Sequence, residues 1–159
     1  MAEQNLKNLD FLQIDDFHIA IVKPTAFTGA TDNTRGNDGG TSDPFTLFNV
    51  TGDVLVRIFG VCTVSLTGAT ATISVGVAGN TAGLIALETA TEIDANGIYL
   101  SATQVSGVVL LATVTGPHVI VNGLDIIETI GTADIETGNI YYICAWRPLS
   151  DDGFVQAAV

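Results

Sequence analysis

The residues best suited to acid–base chemistry near neutral pH are the two histidines, His18 and His118. An imidazole can activate a serine, threonine or cysteine nucleophile only when the two groups lie within hydrogen-bonding distance. Neither histidine is accompanied by a Gly-x-Ser-x-Gly motif or a comparable signature. His18 alternates with apolar residues, and His118 follows Pro117 at the start of a strand-like run. We therefore expect both histidines to pack in or on a sheet and not to catalyse.

Carboxylate pairs are the second possible source of chemistry, because a glycosidase needs two carboxyl groups about 5–9.5 Å apart. Some acids are adjacent at the ends of elements, namely Asp15, Asp16, Asp151 and Asp152. Others could converge from different strands, namely Glu88 with Glu92, or Glu128 with Asp134 and Glu136. Such an enzyme also needs an aromatic-lined cleft, and the chain has only seven Phe, three Tyr and one Trp. We therefore predict that this protein is not an enzyme.

Residues 31–43 contain no apolar side chain and many turn-forming residues, which predicts a long exposed loop. The loop holds oxygen ligands of the kind that calcium prefers, namely Asp32, Asn33, Asn37, Asp38 and Asp43. Their spacing departs from that of an EF-hand loop, because Arg35 and Gly36 occupy positions where ligands would be expected. A solvated loop is the favoured interpretation and a divalent-cation site is the alternative, so we predict no metal and no cofactor.

The two cysteines, Cys62 and Cys144, show no Cys-x-x-Cys or metal-ligand spacing. Each lies in an apolar, strand-like run, where cysteine usually behaves as a small buried side chain. We therefore predict two buried, reduced thiols. A disulfide between adjacent strands is the alternative, and cytosolic synthesis does not favour it.

Arg57 and Trp146 are the other side chains with a possible special role. Arg57 lies in the middle of a strand-like run beside Leu55 and Phe59. Because buried charges are rarely left alone, we predict a structural ion pair inside the domain or across an interface. The outer face of a sheet is the alternative position for Arg57. We predict that Trp146 packs at a strand end, with an exposed platform for a sugar as the alternative.

The overall charge limits the possible partners. The chain has 17 Asp and Glu against 5 Lys and Arg, which gives a formal net charge of −12. Nucleic-acid binding depends on clustered cations that neutralise phosphates, and the five cations here are scattered. We therefore predict no nucleic-acid partner. The negative charge favours solubility, and it would also suit docking onto a basic surface.

A mean hydropathy of +0.45 is high for a water-soluble chain. The longest apolar stretch, residues 105–114, is interrupted by Ser106, Gly107 and Thr113, whereas a spanning helix needs about 20 apolar residues. Residues 1–16 carry five charges and no apolar signal-peptide core. We therefore expect cytosolic synthesis and no membrane partner. An apolar excess can instead be buried between subunits, so we expect a homo-oligomer.

Short runs rich in Val, Ile and Thr, separated by turns that contain Gly, predict an all-β fold. Strands are expected at 17–23, 54–64, 71–77, 84–94, 97–103, 107–114, 117–121, 124–130 and 139–147. Pro24 ends the first strand or confines it to a sheet edge. In the second, Val54, Val56 and Ile58 share one side. The pattern predicts an antiparallel β-sandwich of jelly-roll type, with an N-terminal arm at residues 1–16 and a single domain at residues 17–159.

Face assignments follow from the period of two in each predicted strand. At 84–94 the order places Ile85, Leu87, Thr89, Thr91 and Ile93 on one side. At 139–147 it places Ile140, Tyr142, Cys144 and Trp146 on one side. The remaining residues of each strand lie on its opposite side, and the alternation alone leaves open which side meets the core.

Three segments, Gly52–Gly60, Ile73–Thr81 and Thr91–Ala95, resemble parts of small virion proteins of tailed bacteriophages. Over residues 45–147 the chain resembles capsid decoration or cement proteins and other head-associated β-sandwiches. The similarity lies in the pattern of residue types and in the order of the segments. The resemblance implies a structural role on the outer surface of a phage head, with the major capsid protein as partner and a homotrimer as the assembled form.

We expect the partly apolar arm at residues 1–16 to bind the capsid or a neighbouring subunit. Its candidate contact residues are Leu9, Phe11, Leu12 and Ile14. The alternative function is a glycan-binding or host-surface-binding module of the virion neck, tail or head fibre. That alternative would place Trp146, Tyr99 or the 31–43 loop in an exposed groove.

Overall fold

The computed structural model describes residues 17–29, 31–100, 105–106 and 116–159, with only the backbone described at 105–106. Eleven strands run through these residues. They are β1 His18–Val22, β2 Phe45–Thr51, β3 Val54–Thr67, β4 Thr72–Val77, β5 Asn80–Thr89, β6 Gly97–Tyr99, β7 Val105–Ser106, β8 His118–Ile120, β9 Ile126–Gly131, β10 Thr137–Pro148 and β11 Phe154–Ala157. One turn of 3-10 helix, Ala90–Glu92, follows β5. Within the described ranges, no helix is long and apolar enough to cross a membrane.

The strands form two antiparallel sheets. The first sheet has the order β1-β10-β3-β6-β7, with β8 also paired to β3, and the second has the order β11-β2-β9-β4-β5. The chain moves repeatedly from one sheet to the other, since β1, β3, β8 and β10 lie in the first and β2, β9 and β11 in the second. The predicted all-β sandwich is confirmed. The finer jelly-roll assignment stays a prediction, and the predicted arm at residues 1–16 lies outside the described residues.

One apolar core lies between the sheets. On β3 the alternation buries Val54, Val56 and Ile58 completely. On β10 it buries the four residues that the alternation placed on one side: Ile140, Tyr142, Cys144 and Trp146. Full burial of each such aliphatic side chain stabilises the fold by about 1.5–3 kcal/mol. A slip of one residue in the pairing of β3 with β10 would turn these buried side chains toward solvent. Their burial therefore fixes the register of the first sheet.

The predicted strand at 84–94 is wrong in its second half. β5 ends at Thr89, and Ala90–Glu92 form the 3-10 turn. The pairing of β5 with β4 also shifts register between Ile73 and Val75. Such a bulge reverses the side of the sheet to which the side chains beyond it point. Leu87 therefore points to solvent, with 54% of its surface exposed. The prediction that Leu87 shares a side of the strand with Ile85 is therefore wrong.

Two strands were not predicted. In β2, a register shift against β9 lies between Thr46 and Phe48, and the adjacent Leu47 and Phe48 are both buried. This irregularity removes the period of two on which the prediction depends. β11 is short, and only Val155 in it is buried. The strand predicted at 97–103 is shorter, ending at Tyr99, and the one predicted at 107–114 lies outside the described residues.

Candidate functional site

The outward side of the first sheet carries four rows of side chains, and we call it the apolar sheet face. Residues directly opposite each other on paired strands point to the same side of a sheet. The rows are Val119–Leu55–Arg147, Arg57–Ala145–Ile19, Phe59–Ile143–Ile21 and Ile98–Val61–Tyr141. Two of these positions are arginines, the others are apolar or aromatic, and none is acidic.

The apolar sheet face is most exposed at its two edges. Ile19 and Ile21 on β1 are 52% and 48% exposed, and Val119 on β8 is 60% exposed. The positions on β3 and β10 between them are half-buried. A contiguous set of exposed apolar side chains marks an interaction surface on a folded protein.

The sequence of β3 explains how this face arises. Its inward positions are apolar, as the core requires, but its outward positions also include Leu55, Phe59 and Val61. A solvated sheet normally shows polar residues on its outer side, whereas a strand that is apolar on both sides is typical of a sheet covered on both faces. The outward side of β3 therefore has the composition of a covered surface.

Positive charge lies on the apolar sheet face and around it. Arg57 stands within its second row, which agrees with the alternative interpretation of Arg57. The Arg147 guanidinium carbon lies 5.7 Å from the centre of the Phe17 ring, and Lys23 Nζ lies 5.8 Å from the centre of the Tyr141 ring. Such distances permit cation–π attraction, which holds both side chains beside the face. The sign of this charge is opposite to the net charge of the chain.

A second exposed apolar pair flanks the turn between β8 and β9. Val121 and Leu124 are 45% and 37% exposed. Between them, Asn122 and Gly123 have φ values of 57° and 64°, as a type I′ turn requires. The Asn-Gly sequence adopts these angles at little cost, so this turn fixes the positions of the two apolar side chains.

Carboxylates surround this turn. Asp53 Oδ1 accepts a hydrogen bond from Asn122 N at 2.9 Å, and Asp125 Oδ1 accepts one from Val50 N at 2.9 Å. The third acid is Asp152. Ser150 Oγ links it to the Asp53 backbone, because this hydroxyl accepts a hydrogen bond from Asp53 N at 2.8 Å and donates one to Asp152 Oδ1 at 2.6 Å. We call Val121, Leu124, Asp53, Asp125 and Asp152 together the acidic turn patch.

A cavity of about 200 Å³ opens beside the acidic turn patch. Val121 and Leu124 line it together with Leu84, His118 and Val119, so the cavity borders the β8 edge of the apolar sheet face. The Nδ1 atom of His118 is buried and has no hydrogen-bond partner among the described residues. Burial, and then the charge of Arg57, lower the pKa of His118, so this imidazole is neutral near pH 7.

An ion pair in the core was missed by the sequence reasoning. Arg35, in the loop predicted to be exposed, is only 3% exposed, and Glu128 is fully buried. Arg35 Nε and Nη2 donate to the two carboxylate oxygens of Glu128 at 2.8 and 2.6 Å. Nη1 donates to Thr25 O at 2.9 Å, and the guanidinium carbon lies 3.8 Å from the centre of the Phe27 ring. The prediction of a fully exposed loop is therefore wrong at Arg35.

The electrostatics of the Arg35–Glu128 pair indicate a structural role. Burial alone would lower the pKa of Arg35, but the adjacent Glu128 carboxylate outweighs it and raises that pKa. The Tyr142 hydroxyl donates to Glu128 Oε2 at 2.6 Å, and burial followed by the Glu128 charge raises the pKa of Tyr142 well above its ordinary value. A sequence signal did exist, because Glu128 shares its alternation phase with the core residues Ile126 and Ile130.

Two other acids accept hydrogen bonds from backbone N–H groups distant in the sequence. Asp43 Oδ1 accepts from Ile130 N at 2.9 Å, and Asp134 Oδ1 accepts from Asp38 N at 2.8 Å. Burial raises the pKa of Asp43. Across the described parts of the chain, no three His, Cys, Asp or Glu side chains converge as a metal site. The carboxylates of Asp43 and Asp134 bind backbone N–H groups of Gly39 and Asp38 and so shape the loop that includes residues 31–43.

The two histidines do not meet. His18 pairs with Trp146, Trp146 with Val56, and Val56 with His118, so one row spans the first sheet. Three strand spacings separate the two histidines by about 14 Å. The His18 ring packs 4.7 Å from the Trp146 ring. The expectation that His18 packs on the sheet agrees with this contact.

Cys62 and Cys144 are free and buried, as predicted. They lie on neighbouring strands, but Cys62 pairs with Ile140 and Cys144 with Ile58. Burial raises the pKa of Cys62 to about 11 and that of Cys144 to about 12. Both side chains therefore remain protonated thiols in the folded protein near neutral pH.

The aromatic residues proposed for sugar stacking are inside the sandwich. Trp146 is 6% exposed and packs edge-on against Phe154 at 5.2 Å, which agrees with the predicted packing at a strand end. Tyr99 is fully buried, and its hydroxyl donates to Ile73 O at 2.9 Å. An exposed sugar platform at Trp146 or Tyr99 is therefore wrong, because both rings are needed to fill the core.

The acids considered as enzymatic pairs have separate surroundings. Glu128 is bound inside the core, Asp134 caps a surface turn, and Glu136 is exposed. Glu88 Oε1 accepts from the Thr89 backbone N–H at 2.9 Å. The candidate contact residues Leu9, Phe11, Leu12 and Ile14 lie outside the described residues.

Comparison of the chain with known proteins found no matching family model, no matching curated protein and no matching solved structure.

Proposed function

We propose that this protein is a structural virion protein, a decoration or cement protein that binds the outer surface of a phage head as a homo-oligomer, with a trimer as the assembled form. The observation that supports the proposal is the apolar sheet face, which carries no acid in a chain with a net charge of −12. Such a separation of apolar and charged surface fits a subunit whose sheet face is covered by protein and whose acids face water.

The proposed mechanism is mechanical. A subunit that binds the assembled shell, and not the dispersed capsid protein, stabilises the shell by mass action. The major capsid protein is the proposed partner, and the acidic outer surface keeps the bound subunits solvated. In this scheme, Leu9, Phe11, Leu12 and Ile14 of the N-terminal segment supply the contact with the capsid.

Deletion of residues 2–14 tests the contact. We expect the shortened protein to lose binding to phage heads in a co-sedimentation assay while its far-ultraviolet circular dichroism stays that of a β protein. A matched control is the full chain with the exposed Glu92→Gln substitution, which should bind normally. Unchanged binding after the deletion would show that the N-terminal segment is not the tie.

The role itself is tested by cryo-electron microscopy of the virions that contain this protein. The proposal expects density for the β-sandwich at regular sites on the outer head surface, in groups of three. Density only at the neck, tail or fibres, or no density at all, would contradict it.

A further inference from the structure

We propose that copies of this chain associate head to tail, with the acidic turn patch of one copy seated on the apolar sheet face of the next. This inference rests on the proposed homo-oligomer and names the two surfaces that form its interface. The partner of each surface is a second copy of this chain.

Charge complementarity selects this arrangement. The apolar sheet face carries Arg57 and Arg147 with Lys23 at its border, and the acidic turn patch carries three carboxylates beside two exposed apolar side chains. Contact between the two surfaces pairs opposite charges around an apolar centre, as in stable interfaces. A contact between two sheet faces would instead bring two arginine-bearing surfaces together, and like charges at an interface are unfavourable.

The shapes of the surfaces agree with the charges. The acidic turn patch is not flat, because the cavity of about 200 Å³ opens between Val121, Leu124 and Leu84. Ile19 and Ile21 project from the edge of the apolar sheet face with about half of their surface exposed. A branched aliphatic side chain from the next copy can enter this cavity and remove apolar surface from water on both partners.

The positions of the two surfaces determine the kind of assembly. The apolar sheet face is the broad side of the first sheet, whereas the acidic turn patch lies at the rim, where the chain passes from β8 in the first sheet to β9 in the second. Two different surfaces make a heterologous contact, and such contacts form a closed ring when the rotation between copies closes. A homotrimer is a ring of this kind.

Cysteine crosslinking of the full chain tests the contact directly. One variant carries Leu124→Cys and another, labelled with ¹⁵N, carries Ile143→Cys. The two are allowed to exchange subunits and are treated with a short bis-maleimide. We expect mixed crosslinked dimers that contain one labelled and one unlabelled chain, and no dimers from either variant alone. The native Cys62 and Cys144 are buried and serve as the internal control for unfolding.

The other outcomes are distinct. Dimers from the Ile143→Cys variant alone would show that two sheet faces meet, which overturns the head-to-tail contact. An oligomer without crosslinks to position 143 would show that another segment covers the face, which also overturns it. A monomer in native mass spectrometry would instead contradict the homo-oligomer of the proposed function.

Charge reversal supplies the second test. We expect Arg57→Glu and Asp152→Arg to weaken association about tenfold each, and the double variant to recover most of the loss, because the pair is restored with opposite signs. Glu136→Arg, at an exposed position outside both surfaces, is the matched control and should leave association unchanged. If Asp152→Arg associates as tightly as this control, the acidic turn patch is not the partner surface.

Discussion

Arg35 reaches from the loop of residues 31–43 into the core and holds the carboxylate of Glu128 with two hydrogen bonds. The Tyr142 hydroxyl and the Thr25 and Ile140 carbonyls complete the surroundings of the pair. Because the charges satisfy each other inside the sandwich, the pair is costly to break from one side only. The loop is therefore fastened at Arg35 and the buried Gly36, although Thr31, Asp32 and Asn33 before them are polar and exposed.

Removal of one charge from the Arg35–Glu128 pair tests whether breaking the pair from one side destabilises the fold. Glu128→Gln keeps the shape of the side chain but leaves the Arg35 charge uncompensated in the core, so we expect a loss of about 3–5 kcal/mol in the free energy of unfolding. Urea denaturation measures this loss. The exposed Glu92→Gln should change the free energy of unfolding by less than about 0.5 kcal/mol. Equal effects of the two substitutions would mean that the Arg35–Glu128 pair does not hold the fold.

The buried thiols predict a loss of stability at high pH. The folded-state pKa values of Cys62 and Cys144, about 11 and about 12, lie above the ordinary value of 9.0. The folded state therefore retains protons that the unfolded state releases, and the associated stability is present below pH 9 and lost as the pH rises through the folded values. Tyr99 and Tyr142 act in the same direction, since burial raises the pKa of both. The urea midpoint should fall steadily above pH 9, and a constant midpoint up to pH 12 would contradict this assignment.

Thiol labelling gives an independent measurement of the same burial. The thiolate is the reactive form, and the pKa of about 11 at Cys62 reduces the thiolate fraction at pH 8 by about a hundredfold relative to an ordinary thiol. We expect neither cysteine to react with a disulfide reagent in the folded protein, and both to react in urea. Rapid labelling of the folded chain would show that the two strands open.

At the scale of strands, the alternation of β3 and β10 could be predicted from the sequence because every inward position on them is apolar or glycine. The irregular elements could not be predicted. The bulges of β2 and β5 depend on the strands that pair with them, which are set by long-range contacts. For the same reason Arg35 was not recognised, since its partner Glu128 is 93 positions away in the sequence.

Gly60 shows how the packing of β3 against β10 limits the sequence. It stands opposite Tyr142 on one side and Tyr99 on the other. A Cβ atom at Gly60 would lie 2.7 Å from Ile140 Cγ2 and 3.0 Å from Tyr142 Cε1. Only a residue without a side chain leaves room for these core residues at the centre of the first sheet.

Gly60→Ala is therefore expected to destabilise the protein by about 1–3 kcal/mol through overpacking, measured as a lower urea midpoint. Gly131→Ala is the matched control, since among the described residues the one close neighbour of a Cβ there is Thr72 Oγ1 at 3.1 Å. The control should cost clearly less. A Gly60→Ala variant as stable as the Gly131→Ala variant would contradict the close packing on β10.

At the scale of the whole molecule, charge and apolar surface are separated. The described acids lie mainly at turns and on exposed positions, whereas the apolar sheet face has only arginines among its charged residues. Composition alone predicted an apolar excess that needs burial between subunits. It could not indicate which surface carries the excess, because that depends on which side of each strand faces the core.

A single charge on the apolar sheet face should disrupt association. Phe59→Asp places a carboxylate in the third row of the face, where burial in an interface would be unfavourable, so we expect association to weaken at least about tenfold. Leu87→Asp is the control, because Leu87 is an exposed apolar residue on β5 in the second sheet. The measurement is the concentration dependence of the mass in light scattering. Equal association of the two variants would exclude the sheet face from the interface.

Sedimentation equilibrium of the full chain at micromolar concentration is the most direct test of the claim that the apolar sheet face is covered by another subunit. We expect an assembled mass near three times the 16.5 kDa of one chain, reduced toward one chain by Phe59→Asp and not by Leu87→Asp. A mass of one chain for the unmodified protein would contradict it.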